Sequence, residues 1–270
     1  MPTRYAVLST KTAEGLLRRL DTNEQVHFRS GEFFRIVPGH VIDVEVKREY
    51  ERYGRPYIAG SVTRVAVDIP ALGLEPLRLE PHGLWDPMRD MHLEPGEPLA
   101  DWLAVIVKDG PRPAYEMEAR WYRDSPENVD SDRIYLGMER LERGDIEGAY
   151  NLFNEAAAQE PSCIDAHVHL GMLAFDIEPR LAIQNYLVGV ALGDHALGPD
   201  FDGVLSWYAL DNRPFLRCLH GLLLCLWRLE CWDDALAVCH RLLRLNPVDN
   251  QGARDLLVHL RARERWDEVV

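Results

Sequence analysis

The sequence lacks several features that would assign it to a class at once. No stretch of about 18 consecutive apolar residues occurs, and no charged leader precedes an apolar core and a small-residue cleavage site. We therefore expect a cytoplasmic protein. The cysteines are five, an odd number, and form no CxxC pair. We interpret them as small buried hydrophobic residues of a reducing compartment.

Motifs of the common enzyme classes are also missing. The chain has no glycine-rich phosphate loop, no nucleophile elbow and no HExxH zinc motif. We therefore expect no enzymatic activity and no cofactor. The pair His167 and His169 would point about 200° apart on a helix, and the cysteines and histidines between 218 and 240 follow helical periodicity. We expect no metal site at either place.

Charge is unevenly distributed along the chain, whose formal net charge is -14. Residues 1–80 hold 12 Lys and Arg against 11 Asp and Glu, which leaves 18 against 33 for residues 81–270. Binding to phosphates requires clustered Lys and Arg, so the acidic part is a poor ligand for nucleic acid or an anionic membrane. The near-neutral first part leaves nucleic-acid binding open there, but a protein partner is the better expectation.

The first part of the chain is rich in short β-branched segments separated by Gly and Pro. Arg52, Tyr53, Gly54 and Arg55 predict a hairpin tip, and Gly60 predicts a bulge or bend in the strand that follows. Such strands are typical of a small barrel of the SH3 or OB type. The predicted elements are strands at 4–9, 25–30, 33–37, 40–50 and 56–69 and a short helix at 12–21.

Residues 70–126 are proline-rich and irregular, with one apolar run at 102–107 that could be a returning strand. The sequence SPENVDSD, which begins at Ser125, combines a turn with helix-capping residues and predicts a domain boundary. We therefore predict two domains. Residues 1–125 form a β-rich domain with a proline-rich extension, and residues 126–270 form a helical repeat domain.

Residues 131–161 have the pattern of one helix-turn-helix unit. Small residues at Gly137 and Ala149 would let two antiparallel helices approach closely, with Leu136 and Phe153 filling the seam between them. Pro161 would end the second helix. A unit of this kind cannot bury its own apolar face, so it predicts neighbours on which to stack and a concave binding surface.

Similar spacings recur twice further along. Leu170 and Gly171 open a second, irregular unit that ends near residue 192, and residues 215–245 make a third pair in which Leu223 occupies the small position. Residues 249–263 predict a final amphipathic helix that caps the stack.

These spacings together resemble the tetratricopeptide repeat family over about residues 130–263. Residues 211–257 are, more narrowly, similar to the repeats of proteins related to the suppressor-of-tumorigenicity-seven family. The resemblance implies an all-α solenoid with a protein-binding role and no established chemistry. Together with the barrel, it predicts an α+β fold class and an adaptor or scaffold that binds a protein or peptide in the repeat groove. The sequence leaves open whether the chain associates with itself through the apolar third repeat.

Candidate binding residues are those on the first helix of each pair that do not face the seam, and the aromatic residues of the long connection at 193–214. If these aromatic residues are exposed they indicate a binding site, and if they are buried they indicate a lid. The helix residues could equally be the polar faces of ordinary helices. The candidates are Arg133, Met138, Arg140, His167, Arg217 and His220 on the helices, and Phe201, Trp207 and Tyr208 in the connection.

The alternative function places nucleic acid on the barrel. Basic and aromatic residues interleave around the predicted hairpin tip, a combination that lets bases stack while phosphates are neutralised. Glu45, Glu49 and Glu51 lie among them and favour a solvated hairpin with aromatic packing instead. The interleaved residues are Arg48, Tyr50, Arg52, Tyr53, Arg55 and Tyr57.

Overall fold

The structure, a computed structural model, describes residues 2–11, 14–30, 35–123, 128 and 131–269. The strands in these residues are β1 (Thr3–Lys11), β2 (Glu14–Arg19), β3 (Gln25–Arg29), β4 (His40–Arg52), β5 (Arg55–Val67), β6 (Leu79–Trp85), β7 (Arg112–Met117) and β8 (Val204–Leu205).

Helices occupy most of the later part of the chain, and the α+β class predicted from the sequence is confirmed. The described helices are α1 (Ile69–Leu72), α2 (Pro87–Asp90), α3 (Asp101–Asp109), α4 (Arg133–Glu142), α5 (Ile146–Gln159), α6 (Ile164–Phe175), α7 (Pro179–Leu197), α8 (Arg213–Arg228), α9 (Trp232–Leu245), α10 (Ala253–Ala262) and α11 (Trp266–Val269), with a 3-10 helix at Leu210–Asn212.

The chain divides into two compact units, and each unit is assembled from two stretches of sequence. The first unit comprises Met1–Pro76 and Arg120–Leu192, and the second comprises Leu77–Ala119 and Gly193–Val270. The boundary predicted near 125–130 falls mostly on residues outside the described ranges. The division into domains at 125/126 therefore stays a prediction.

The first unit contains a closed five-stranded barrel in the order β1-β2-β3-β5-β4, which confirms the predicted barrel. All pairs around it are antiparallel except β3 and β5, which are parallel. Alternation along each strand sends one set of side chains inward. The barrel core consists of Tyr5, Val7, Leu17, Phe28, Ile36, Ile42, Val44 and Ile58.

The hairpin between β4 and β5 is confirmed where the sequence predicted it. Arg52 pairs with Arg55, and Tyr53 and Gly54 have φ values of 53° and 69°, as a two-residue primed turn requires. The pairing of β4 with β5 shifts register twice: in β4 between Val46 and Arg48, opposite Gly60, and in β5 opposite Asp43 and Val44. A Cβ at Gly60 would overlap the Glu45 carbonyl oxygen, so glycine permits this close approach.

The helix predicted at 12–21 is wrong, because Glu14–Arg19 form a strand. Leu17 pairs with Val7 and is fully buried in the barrel core. Leu16, Leu17 and Leu20 match helical spacing, but pairing on both edges with β1 and β3 determines the conformation. Of the strand predicted at 33–37, residues 33 and 34 lie outside the described ranges, and the remaining residues are not in a strand.

Helices α4 and α5 form the predicted helix-turn-helix unit. Asp132 caps α4 and Asp145 caps α5 with side-chain hydrogen bonds to backbone N–H groups. A Cβ at Gly137 would overlap the ring of Phe153, so the two helices are closer here than a larger residue would allow. Gly171 of α6 has the same relation to the Tyr186 ring of α7.

The second unit contains a three-stranded sheet in the order β6-β7-β8. The long connection predicted at 193–214 supplies β8, which pairs in parallel with β7. The strand predicted at 102–107 is wrong, since this run lies in α3 and buries Leu103 and Ile106 on one helical face. A short apolar run does not distinguish a strand from a buried helix by periodicity alone.

Helices α8 and α9 pair in the second unit, followed by α10, and together they bury a large apolar core. Trp227 lies in this core and donates its indole N–H to the carbonyl oxygen of Glu264, 2.8 Å away. The stacking of all helix pairs into one solenoid stays a prediction. Among the helices described, none is long and apolar enough to cross a membrane.

Candidate functional site

The seven binding candidates that the sequence singled out on the helices and at Trp207 fall in both units. Four of them, Arg133, Met138, Arg140 and His167, belong to the first unit. Arg217, His220 and Trp207 belong to the second unit.

The three candidates on α4 make contacts within the first unit. Arg133 pairs with Glu155 at 3.0 Å, and Met138 packs against the apolar cluster shared by α4, α5 and α6. Arg140 is more exposed and pairs with Asp145 at 3.1 Å. Met138 therefore contributes to the packing of the helices, and the two arginines form ion pairs within the unit.

The sequence argument offered His167 as a residue that a partner could contact, but the structure buries it. It is buried, with 1% of its surface exposed, beside the loop of Gly39 and His40 at the edge of the barrel. Burial is the main cause that lowers the pKa of His167 to about 3. A partner on the surface of the unit cannot reach this ring, so we remove it from the binding candidates.

Trp207 and Arg217 do come together in the second unit. The guanidinium carbons of Arg213 and Arg217 lie 5.2 and 5.6 Å from the centroid of the Trp207 ring system. Both arginines are on α8, four residues apart and therefore on one face. These distances are those of cation–π contacts.

The backbone around Trp207 is held by three side chains of the second unit. Arg213 Nε donates to the Trp207 carbonyl oxygen at 2.9 Å, and Asn246 Oδ1 accepts from the Trp207 N–H at 3.4 Å. Asn212, fully buried, donates to the carbonyl oxygens of Tyr115 and Ser206 and accepts from the Met117 N–H. The segment is thus fixed to β7, α8 and α9.

The aromatic residues of the long connection are partly exposed. Tyr208 is 71% exposed and Leu210 is 62% exposed, and Trp207 is half-buried. We name the set Trp207, Tyr208, Leu210, Arg213 and Arg217 the Trp207 surface. His220 lies one turn further along α8, half-buried, and burial lowers its pKa, so it remains neutral at neutral pH.

On the barrel, a row of aromatic rings crosses three strands on the outer face. Tyr57 of β5 stacks between His27 of β3 and Tyr50 of β4, with ring centroids 4.8 and 5.4 Å apart. A hydrogen bond to Glu14 is the main cause that raises the pKa of the Tyr57 hydroxyl. On the next strand, Leu16 of β2 pairs with His27.

Arginines accompany this row as the sequence argument predicted. The guanidinium of Arg48 lies 5.0 Å from the Tyr50 ring centroid, and that of Arg52 lies 5.0 Å from the Tyr53 ring centroid. Tyr53 at the hairpin tip is 85% exposed, and Arg55 beside it is exposed as well. The rings of Tyr50 and Tyr57 cover each other, so Tyr53 is the ring most open to a ligand.

A cavity of about 600 Å³ at the barrel, which Tyr50 and Tyr57 of this row line, carries the opposite charge. Glu24, Glu49 and Glu51 line it, together with Arg19 and several apolar and aromatic side chains. Phosphate groups would be repelled there. A polyanion on the barrel would therefore have to follow the side that carries Arg48 and Arg52.

In the described part of the chain, the cysteine thiols and the potential metal ligands form no further candidate site. Cys225 and Cys239 are buried, and burial raises the pKa of each thiol to about 12. Among the described residues, no group of three or more His, Cys, Asp or Glu side chains could hold a metal ion.

Sequence reasoning missed Leu210 and Arg213 of the Trp207 surface, and Asn212 and Asn246 of its support. Arg213 precedes Arg217 by four residues, and this spacing, next to the aromatic pair Trp207 and Tyr208, was a usable signal. Asn212 gave no signal, since a buried asparagine cannot be told from a helix-capping one without the partners it contacts.

Comparison of this chain with family models, with curated proteins and with solved structures finds no match in any of the three. The resemblance to tetratricopeptide repeats therefore rests on the spacings in the sequence and stays a prediction.

Proposed function

We propose that this chain is a non-catalytic protein-interaction module, an adaptor or scaffold, that binds an acidic segment of a partner protein on the Trp207 surface. The observation that carries the proposal is the cluster of the exposed Tyr208 with the half-buried Trp207, Arg213 and Arg217. Trp, Tyr and Arg are the residues that contribute most to binding free energy at protein interfaces.

The charge of the partner follows from the start of α8. Arg213 and Arg217 lie in its first two turns, and the first turn contains no acidic residue. The N-terminal end of a helix is also positive, so it adds to the attraction for carboxylates of a partner.

Preorganisation also supports binding at this place. The hydrogen bonds of Arg213, Asn212 and Asn246 fix the backbone before any partner arrives, so less conformational entropy is lost on association.

We further infer that the helix pairs are tetratricopeptide-like repeats. A glycine on the first helix faces an aromatic ring on the second in two pairs, at Gly137 with Phe153 and at Gly171 with Tyr186. This recurrence supports one repeating packing rule, and repeats of this kind commonly bind proteins.

Selection of peptides tests the proposed function. A phage-displayed library of random peptides is selected on the full chain, and we expect a class enriched in Asp and Glu. Arg217→Glu should weaken binding of that class by about tenfold or more, since it reverses a charge at the interface. The control is Val258→Ser, at an exposed position of α10 in the same unit. Acidic peptides that bind Arg217→Glu as tightly as the unaltered chain would refute the proposal.

A second candidate function is binding of single-stranded nucleic acid by the barrel. The strand order β1-β2-β3-β5-β4 with parallel β3 and β5 matches an OB-type barrel, whose β2–β3 face and β4–β5 loop commonly bind oligonucleotides. The β4–β5 loop here is the hairpin of Arg52, Tyr53 and Arg55, and His27 lies on the β2–β3 face.

Fluorescence anisotropy of labelled oligothymidine tests this candidate. If the barrel binds it, affinity should fall with salt, and the double variant Arg52→Ala with Tyr53→Ala should bind about tenfold more weakly because one stacking ring and one cation are lost. Arg64→Ala, an exposed arginine elsewhere on β5, is the control. Absence of salt-dependent binding, or equal loss in both variants, excludes the candidate.

A further inference from the structure

Two large apolar side chains lie beside the arginines of the Trp207 surface. Tyr208 is 71% exposed and Leu210 is 62% exposed, while Ala209 between them is buried. The segment therefore turns both large side chains toward solvent and anchors itself through the small one. Exposed apolar side chains that lie together on a fixed backbone are a feature of docking sites.

The backbone places apolar and basic side chains along one line. Leu210 begins the 3-10 helix Leu210–Asn212, which continues directly into α8 at Arg213. Side chains three apart in a 3-10 helix eclipse each other, so Leu210 and Arg213 lie on the same face. Arg217 follows Arg213 by four residues on α8 and extends the line. This face therefore changes from apolar to basic along its length.

Arg213 is placed to bind a carboxylate. Among the described residues, its guanidinium donates one hydrogen bond, from Nε to the Trp207 carbonyl oxygen at 2.9 Å. This bond and the contact with the Trp207 ring, whose centroid is 5.2 Å away, hold the guanidinium in position. The two Nη groups at the end of the side chain remain for a partner. Two parallel N–H groups of this kind match the two oxygens of a carboxylate.

The acidic residue that follows Leu210 does not lie on this line. Asp211 is about a third of a turn away from Leu210 in the 3-10 helix. Its N–H donates to Glu116 Oε1 of β7 at 3.4 Å, and its carboxylate accepts from the Ala119 N–H just after β7. A partner that lies along Leu210, Arg213 and Arg217 therefore passes beside Asp211 and meets the two arginines.

The length of the line sets the spacing of residues in a partner. The rise is about 6 Å from Leu210 to Arg213 and about 12 Å from Leu210 to Arg217. An extended chain rises about 3.3 Å per residue, and its side chains point to the same side at every second residue. Residues two and four positions from the one opposite Leu210 would thus lie opposite Arg213 and Arg217.

We propose that the partner segment is an extended, amphipathic acidic peptide, an inference that rests on the proposed function of the Trp207 surface. A large apolar residue of the segment contacts Tyr208 and Leu210. Acidic residues two and four positions away from it, on the same side of the extended chain, pair with Arg213 and Arg217. The apolar contact adds affinity that salt does not screen, and the ion pairs fix the register of the segment.

Three synthetic peptides in a background of Gly and Ser test this pattern by fluorescence anisotropy with the full chain. The in-phase peptide has one central Leu, with Glu at the second and fourth positions on either side. The out-of-phase peptide has the same composition, with Glu at the first and third positions. The third is the in-phase peptide with Ser in place of Leu. We expect the in-phase peptide to bind about tenfold more tightly than either of the others.

Leu210→Ser tests the apolar contact from the side of the protein. It should weaken binding of the in-phase peptide by about fivefold to tenfold and leave binding of the peptide without Leu unchanged. Raising the salt concentration should weaken binding to both proteins but preserve the ratio between them, because the lost contact is apolar.

The matched control is Val258→Ser on α10. Val258 and Leu210 are each 62% exposed in the second unit, so neither change should alter folding, and circular dichroism verifies this. Val258→Ser should bind the in-phase peptide as tightly as the unaltered chain does.

The outcomes separate this inference from the proposed function. Equal binding of the in-phase and out-of-phase peptides overturns the extended pattern, and equal affinities of Leu210→Ser and Val258→Ser for the in-phase peptide overturn the apolar contact. The same holds if acidic peptides selected from the random library bind but the in-phase peptide does not. In these cases the acidic class still supports the proposed function. If no acidic peptide of either origin binds, both proposals are wrong.

Discussion

At about pH 4.5 the chain is expected to be about 5 kcal/mol less stable than at neutral pH on account of two buried histidines. His40 and His167 each have 1% of their surface exposed, and burial is the leading cause that lowers their pKa values from 6.5 to about 4 and about 3. They lie close together where the barrel packs against the helices of the first unit, and a charge on His40 would further lower the pKa of His167.

The sign of this change in stability follows from the number of protons that the folded and unfolded states bind. Below pH 6.5 the unfolded chain protonates both rings, while the folded chain keeps them neutral until the pH approaches 4 and 3. The unfolded state therefore binds more protons, and the free energy of unfolding decreases as the pH falls through this window. Both rings contribute to this loss by about pH 4.5.

Urea denaturation at several pH values measures this effect. His40→Asn retains an acceptor for the Val37 N–H, which His40 Nδ1 accepts at 3.4 Å, and should remove about half of the pH dependence attributed to the pair. His167→Gln tests the other ring. His195→Gln, in the second unit, is the control for loss of a histidine outside the pair. If the two buried-site variants keep the pH profile of the unaltered chain, the histidines do not cause the acid sensitivity.

Gly137→Val is expected to destabilise the first unit by about 3 kcal/mol. A Cβ at this position would overlap Phe153 Cε1 and lie 2.7 Å from Phe153 Cζ, and the Phe153 ring is fully buried. Neither the ring nor the helices can move without disturbing the surrounding core. Valine has a slightly higher helix propensity than glycine, so the loss would come from overpacking.

The measurement is the free energy of unfolding in urea. Ala104→Val, at an exposed position of α3, is the control for a β-branched residue in a helix and should change stability by no more than about 0.5 kcal/mol. Phe153→Leu gives a second check. In the double variant the smaller side chain at position 153 leaves room for the added methyl groups at position 137, so the total cost should be less than the sum of the single costs. If the losses in unfolding free energy are additive, the side chains at positions 137 and 153 do not interact.

Local patterns in the sequence were sufficient for the features that depend on neighbouring residues. The hairpin at Tyr53 and Gly54 was predictable because a two-residue turn needs residues that tolerate positive φ. The bend near Gly60 and the close helix approach at Gly137 were predictable because only glycine leaves space there. In each case the physical requirement acts on one or two adjacent positions.

The candidate sites were predictable only in part. Trp207 and Arg217 are ten residues apart in the sequence, and both were candidates before their contact was known. The support of Trp207 by Asn246 was not foreseen, because the two residues are 39 positions apart in the chain. Nothing in either stretch indicates that the other is near.

The sequence by itself determined the α+β class, the four barrel strands other than β2, and the helix pairs, because alternation and helical spacing state which side of each element is buried. Only the tertiary structure decided that Glu14–Arg19 is a strand and that residues 101–109 are a helix. It also decided that each unit is built from two separate stretches. These features depend on pairing and packing between distant residues, whose free energy exceeds the small local preferences of short apolar runs.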